Sequence, residues 1–358
     1  MPYDLCAFGS NGSGQLALGH TEDVSVPTKC LTTQGGFDGR PCKVAAGGNH
    51  TLVLCDNGSI YASGQNLDGR CGFEASVKLC TRFRRVCFLG IEQQVLDKFS
   101  FCSATWETST FVTLKNEVYT AGTGRKGELG QGQNIAGSIN PRLVIDFPPL
   151  NTKIVDLAAC MSHTVAVLSN GDVYGWGSGR KGQLGATFTD ISIPRKIEGL
   201  SFRALQAVCG REFTYVLGSA DNGAHTILGS DKWKVRSSAP TTVVGWQAIG
   251  ASWGGIYVLL RTGQLLGWGR NDHKQLPHSD FPEVEKFWAG SEHVIAKSAV
   301  GTILTRGWGE HGNCGRLTLG NDKVAEGWNE VSLTKPSSPI GAGCATSWLL
   351  IEPIDRYE

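Results

Sequence analysis

CMSHTVAVLSNGDVYGWGSGRKGQLG, residues 160–185, holds two short apolar runs separated by Ser-Asn-Gly-Asp and followed by a glycine-rich polar turn. Runs of four to six residues rich in Val, Leu, Tyr and Trp are too short for helices and suit paired strands. Asn170-Gly171 supplies residues that tolerate positive φ, as a tight hairpin turn requires. GGNHTLVLCDNGSIYASG, starting at Gly47, repeats the design with Asn57-Gly58 at the turn. The unit is therefore a hairpin, then a polar turn closing on Gly-x-Leu-Gly or a variant.

The second half of this unit occurs seven times, beginning at Ala7, Ala62, Ala121, Gly175, Ile227, Gly267 and Gly307. Its anchoring glycines read as Gly9, Gly64, Gly122, Gly177, Gly229, Gly269 and Gly309, in steps of 55, 58, 55, 52, 40 and 40 residues. Such a period marks an array of one supersecondary unit. No segment sustains a helical period, so the array is all-β, with four short strands per unit arranged radially. The chain opens with a second half, LCAFGSNGSGQLALG from Leu5, and ends with a first half, GAGCATSWLLI from Gly341. Together these predict a seven-bladed β-propeller over residues 1–358, with a shared closing blade that removes both exposed sheet edges.

Composition narrows the function classes. Lys plus Arg number 33 and Asp plus Glu 32, a net charge of +1 that gives no global pull toward nucleic acid or anionic membrane. The first residues lack the pattern of a secretory signal, and no apolar stretch is long enough to span a bilayer, so a soluble protein of the cytoplasm and nucleus is expected. Reduced thiols are expected of the 12 cysteines, because none stands at C-x-x-C spacing and Cys80 and Cys87 have no nearby His to complete a zinc site. Cys55, Cys71 and Cys314 occupy small apolar positions of the repeat. No nucleophile arrangement, H-E-x-x-H or phosphate loop is present, and GTGRKGELG from Gly122 lacks the helix that would make it a phosphate cradle. No catalytic residue, cofactor or metal is expected.

The GxxHT phrase, the Asp-Gly turn and VYGWGSGRKGQLG resemble the repeat of the regulator of chromosome condensation family, whose members are seven-bladed propellers. The resemblance spans essentially the whole chain, with degenerate copies around Gly229 and Gly269. It implies that the loops leading into each GxxHT strand reach one face of the disc near a central channel. Within the family, the opening YDLCAFGSNGSGQLALGHTEDVSVPTKC is similar to a fungal member. That likeness implies a small acidic zinc- or iron-binding partner of the diphthamide pathway and, indirectly, Elongator-dependent modification of the tRNA wobble uridine. The family's best-known activity, guanine nucleotide exchange on the small GTPase Ran, uses Asp residues before the His and a wedge hairpin in an early blade. The matching loops here carry Asn49, Ser162, Glu212 and Glu292, and no wedge or basic N-terminal tail is evident.

Partner recognition is therefore sought in the variable loop residues. Trp and Arg anchor interfaces more often than other residue types, which selects Trp106, Trp253 and Arg211, with Glu107, Glu212 and Glu292 beside them. Trp233 and Lys234 join the set because they stand where the glycine turn is abandoned. Arg125 with Lys126 and Arg180 with Lys181 are further exposed pairs able to meet an acidic partner. His50, His163 and His293, repeated before strands, are expected to bond the backbone of their own blades.

Overall fold

The computed structural model describes residues 3–74, 76–278, 281–316 and 327–351. Among these, seven antiparallel sheets stand radially around a channel. Blade 1 comprises Pro41–Ala46, His50–Cys55, Ile60–Gln65 and Leu79–Arg85; blade 2 comprises Phe99–Ala104, Thr108–Thr113, Val118–Thr123 and Gly137–Leu143. Blade 3 holds Ile154–Cys160, His163–Leu168, Val173–Gly177 and Ile191–Lys196; blade 4 holds Gln206–Cys209, Phe213–Leu217 and His225–Gly229. Blade 5 has Trp246–Ala251, Gly255–Leu260 and Leu265–Gly269; blade 6 has Val284–Ala289, His293–Ser298, Ile303–Gly307 and Asn329–Glu330. Blade 7 closes the ring as expected: Ser337–Gly343 and Thr346–Ile351 lie inside, Asp4–Gly9 and Val24–Lys29 outside. The joint is the ladder from Asp4↔Ile351 to Gly9↔Thr346.

Register assigns the faces. His163 pairs with both Cys160 and Gly177, so the loop entering the second strand and the turn leaving the third emerge together on what we call the upper face. The Asn170-Gly171 turn lies on the lower face. Each third strand carries, at its last or second-last residue, a glycine held at φ between 98° and 118°: Gly9, Gly64, Gly122, Gly177, Gly229, Gly269 and Gly307. A Cβ on any of them would come within 2.1–2.4 Å of the carbonyl oxygen opposite. Positive φ and close backbone approach together exclude every other residue there. In blade 6 this anchor is Gly307, not the expected Gly309. The Gly-Trp-Gly phrase has slid by two positions, so Arg306 takes the place that Trp176 and Trp268 hold in blades 3 and 5, and Trp308 stacks on His273 at 4.9 Å.

Trp176 is fully buried among Val165, Phe147 and Leu184, with Nε1 donating to the Glu128 carbonyl of blade 2 at 3.0 Å. Burial on this scale makes Trp→Ala cost about 3–5 kcal/mol. Cys55, Cys71 and Cys314 are buried, and burial pushes the Cys314 thiol up to about 12.

Three expectations are corrected. Among the described residues blades 4 and 5 have three strands, not four: after Gly229 the chain enters a tight turn at Lys232–Lys234 with Trp233 and Lys234 at positive φ, and after Gly269 it runs into Pro277, which has no N–H to pair. The histidines do not serve their own blades: Nε2 of His50, His163 and His293 meets Ser109, Thr214 and Ser347 of the next blade at 2.9, 3.1 and 2.9 Å. Finally, an early hairpin outside the blades is present, Phe88–Leu89 with Val95–Leu96. It follows the fourth strand of blade 1 on the lower face, with Phe88 packed against Phe99, Phe111 and Tyr119 of blade 2.

Candidate protein-binding site

The loops entering the second strands line the upper mouth of the channel and bond to one another in two arcs, over blades 1–3 and blades 4–7. Gly48 N–H donates to Trp106 O at 3.0 Å, and Trp106 N–H to Met161 O at 2.7 Å. Arg211 N–H donates to Trp253 O at 3.0 Å, Trp253 N–H to Ser291 O at 2.9 Å, and Ser291 N–H to Gly343 O at 2.9 Å. Because these bonds use only main chain, the side chains are free to differ from blade to blade. The Trp106 ring lies so close over Gly48 that a Cβ there would meet it at 2.6 Å. It leans toward Trp253 across the mouth, ring centroids 6.0 Å apart. Cys160 and Cys344 sit in the same mouth, where burial pushes their thiols up to about 12 and about 11. Both are neutral at physiological pH.

Outward from Trp253 lies a pocket walled by Arg211, Glu212, Trp233, Trp253, Arg270 and Glu292. Five of the eight residues selected from sequence thus meet in one place. Arg211 places its guanidinium carbon 5.8 Å from the Trp253 ring, and Arg270 places its own 4.7 Å from the exposed Trp233 ring. Lys232 Nζ is 5.5 Å from the Trp233 ring. Cations at these distances are held by the ring quadrupole. Trp106 reaches the pocket through Trp253. Lys234 is exposed and does not line the pocket, whereas Lys232 does. Glu107 stands apart, paired at 3.3 Å with the buried Arg70 of blade 1, which also binds Asp68 at 2.7 Å.

Glu292 is only 3% exposed, so it works from beneath. It pairs with Arg270 and accepts from Gln275 Nε2 at 3.1 Å. Burial raises its carboxyl above the ordinary range, and the nearby Arg270 only partly offsets that. Burial would lower Arg270 in turn, but Asp272 at 2.7 Å and Glu292 outweigh it and raise the guanidinium. Arg270 was not selected from sequence. The available signal was an Arg immediately after an anchoring glycine, with Asp two positions on.

Arg211, Lys232 and Lys234 form no ion pair among the described residues, whereas Arg270 is neutralised. The described residues bring no three His, Cys, Asp or Glu side chains into a metal-holding cluster, and no helix among them is long and apolar enough to cross a membrane. Fold and site together define a propeller whose varied loops gather aromatic and charged side chains on one face.

Models of the regulator of chromosome condensation (RCC1) repeat match residues 4–54 and 170–217, and 42–70 and 154–183. An RCC1 repeat-containing protein of Schizosaccharomyces pombe is 33% identical over 97% of this chain and 99% of its own length. The chain belongs to the RCC1 repeat family. The secretion-regulating guanine nucleotide exchange factor of Mus musculus is 27% identical over 87% of this chain, which spans 61% of that protein. Among solved structures, Prp20p of Saccharomyces cerevisiae, described with its binding to Gsp1p and histones, superposes with a TM-score of 0.80 at 21% identity, over 99% of this chain and 93% of that one. That likeness concerns the fold.

Proposed function

We propose that this chain is a non-catalytic adaptor that captures a small acidic protein on its upper face. The observation that carries this reading is Arg211 set against Trp253 at 5.8 Å, with Lys232 and Lys234 alongside and none of the three cations paired. Indole and guanidinium at a pocket rim are the residue types that anchor interfaces, and cations without a counter-charge select an acidic surface. The specific partner comes from resemblance to the fungal α-tubulin suppressor, also known as a killer-toxin insensitivity protein. It is the small acidic zinc- or iron-binding protein of the diphthamide pathway, with the pair supporting Elongator-dependent modification of the tRNA wobble uridine in cytoplasm and nucleus. Neither nucleic acid nor membrane is contacted directly. Mixing the purified proteins should give an equimolar complex in sedimentation analysis, weakened by Trp253→Ala and by Arg211→Glu. Absence of a complex with the wild-type chain would overturn the pairing.

Guanine nucleotide exchange on a Ran-type GTPase is the second reading, favoured by the mouse relative's name and by the Prp20p likeness. Against it stand loops that offer Asn49, Ser162, Glu212 and Glu292 where the exchange factor uses Asp. Release of fluorescent GDP from Ran should proceed at its intrinsic rate when the chain is added. Acceleration would establish exchange instead.

A further inference from the structure

The turns leaving the third strands of blades 2, 3 and 4 bring Arg125 with Lys126, Arg180 with Lys181, and Lys232 with Lys234 to the upper face, all exposed. The equivalent turns of blades 7, 1 and 6 carry Asn11-Gly12-Ser13, Leu67-Asp68 and Glu310-His311, and in blade 5 Arg270 is neutralised by Asp272 and Glu292. The face is therefore polarised: its basic pairs lie over three consecutive blades, with the single exposed Lys78 in the adjoining turn of blade 1. These turns are joined physically. The blade 2 turn seats on blade 3 through the Trp176–Glu128 bond, and the blade 3 turn seats on blade 4 where Thr214 Oγ1 donates to Gln183 O at 2.8 Å. Arg180 pairs with Asp190 at 2.7 Å; Arg125, Lys126, Lys181, Lys232 and Lys234 form no ion pair among the described residues.

Two aromatic side chains stand in the same arc. Phe188 is 63% exposed and Trp233 42% exposed, and both sit on backbone at positive φ, 44° and 64°. A bulky residue held in that region is strained, and such strain concentrates at functional positions. Phe188 lies against Gly182, beside the Arg180–Lys181 turn.

We propose that blades 2–4 form a track for an extended acidic segment of the partner, running from Trp233 past Phe188 to the Arg125–Lys126 turn. This rests on the reading of the Trp253 pocket as a protein-binding site and extends it. A polypeptide fits better than a nucleic-acid strand because carboxylates interrupt the arc: Asp190 stands beside Arg180 and Glu212 beside Arg211. A phosphate backbone carries charge at every step and would meet them, whereas an acidic peptide can set an uncharged residue opposite.

The test uses the full chain and two fluorescent probes, a synthetic peptide of Asp and Glu with interspersed Leu and Phe, and an oligouridylate of the same length. Lys126→Glu with Lys181→Glu should weaken peptide binding about tenfold at low salt, mainly through slower association. Lys115→Glu with Lys153→Glu, an equal charge change at exposed sites on the lower face, should leave it unchanged. Equal losses from both pairs, or tighter binding of oligouridylate than of peptide at matched salt, would overturn the track. The small zinc protein separates the two proposals. Binding that Trp253→Ala abolishes but the upper-face pair leaves intact sinks the track and keeps the adaptor. Peptide binding that the upper-face pair weakens, with no zinc-protein complex, does the reverse.

Discussion

The guanidinium of Arg270 joins an exposed ring to a buried acid: it stands 4.7 Å from the centroid of Trp233 while pairing with Glu292, which is 3% exposed. Trp233 occupies strained backbone, so its pose depends on what lies beneath it. Arg270→Ala removes the support and leaves Glu292 buried without its cation, a change that costs about 3–5 kcal/mol. Arg270→Lys keeps the charge but loses the planar fork that serves two carboxylates and a ring together. Both variants should shift Trp233 fluorescence, and Arg270→Lys should weaken partner binding with a smaller loss of melting temperature. Unchanged fluorescence in Arg270→Lys would show that Trp233 holds its pose unaided.

Trp253 and Arg211 are expected to dominate affinity. Trp253→Ala should cost about 2 kcal/mol or more of binding free energy, as central aromatic anchors do. Arg211→Glu and Lys234→Glu should each weaken binding without lowering the melting temperature, since both side chains are exposed and unpaired. Calorimetric titration with thermal melts of the same samples checks this, and intact affinity in both charge reversals would remove the site from this pocket.

The inter-blade histidines set an acid limit. Burial holds His50 at about 3 and His163 and His293 at about 4, below the ordinary value near 6.5. Below that value the unfolded chain takes up protons the folded chain refuses, so stability falls with pH from about 6.5 down to about 4, by about 1.4 kcal/mol per histidine per pH unit. His163→Gln should reduce the slope of urea-denaturation stability against pH in that window by about 1.4 kcal/mol per pH unit. An unchanged slope would mean that other groups govern acid unfolding.

Ring closure depends on the strand at Thr346–Ile351. A chain ending at Trp348 loses the residues that face Asp4, Leu5 and Cys6 and exposes both edges of the ring. It should lose its cooperative melt and aggregate. A melt at nearly the wild-type temperature would show that the propeller holds without the joint.

Gly177→Ala should destabilise by more than about 2 kcal/mol, because positive φ and a backbone clash coincide there. Gly12→Ala, whose Cβ would meet nothing within 4 Å, should change stability by less than about 0.5 kcal/mol. Equal effects in chemical denaturation would contradict the assigned register.

The blade count and the closing joint were legible because each rests on covalent spacing: the glycine steps and the half-units at either end. The missing fourth strands of blades 4 and 5 were not read, because four strands were expected of every unit, although the fall from steps above 50 residues to 40 marks the shorter connections. Gly307 was misread as Gly309 because Gly-Trp-Gly looks the same in either register, and only the pairing of Gly307 with His293 separates them. The convergence of Arg211, Trp233, Trp253 and Glu292 was half legible. Loop membership came from the repeat, but the approach of Arg270 to Trp233 depends on two adjacent blades meeting. The histidine partners were missed for the same reason: an inter-blade contact leaves no mark at any fixed spacing.

The main-chain bonds that run from loop to loop round the channel have an engineering consequence. They hold Gly48, Trp106, Met161, Arg211 and Trp253 through main chain alone, while Ser291 also accepts from Ala345 N–H through its Oγ at 3.1 Å. Where no overlying ring demands glycine, as Trp106 does at Gly48, the rim can be rewritten one letter per blade, and a new specificity grafted onto it should inherit the rigidity of the old.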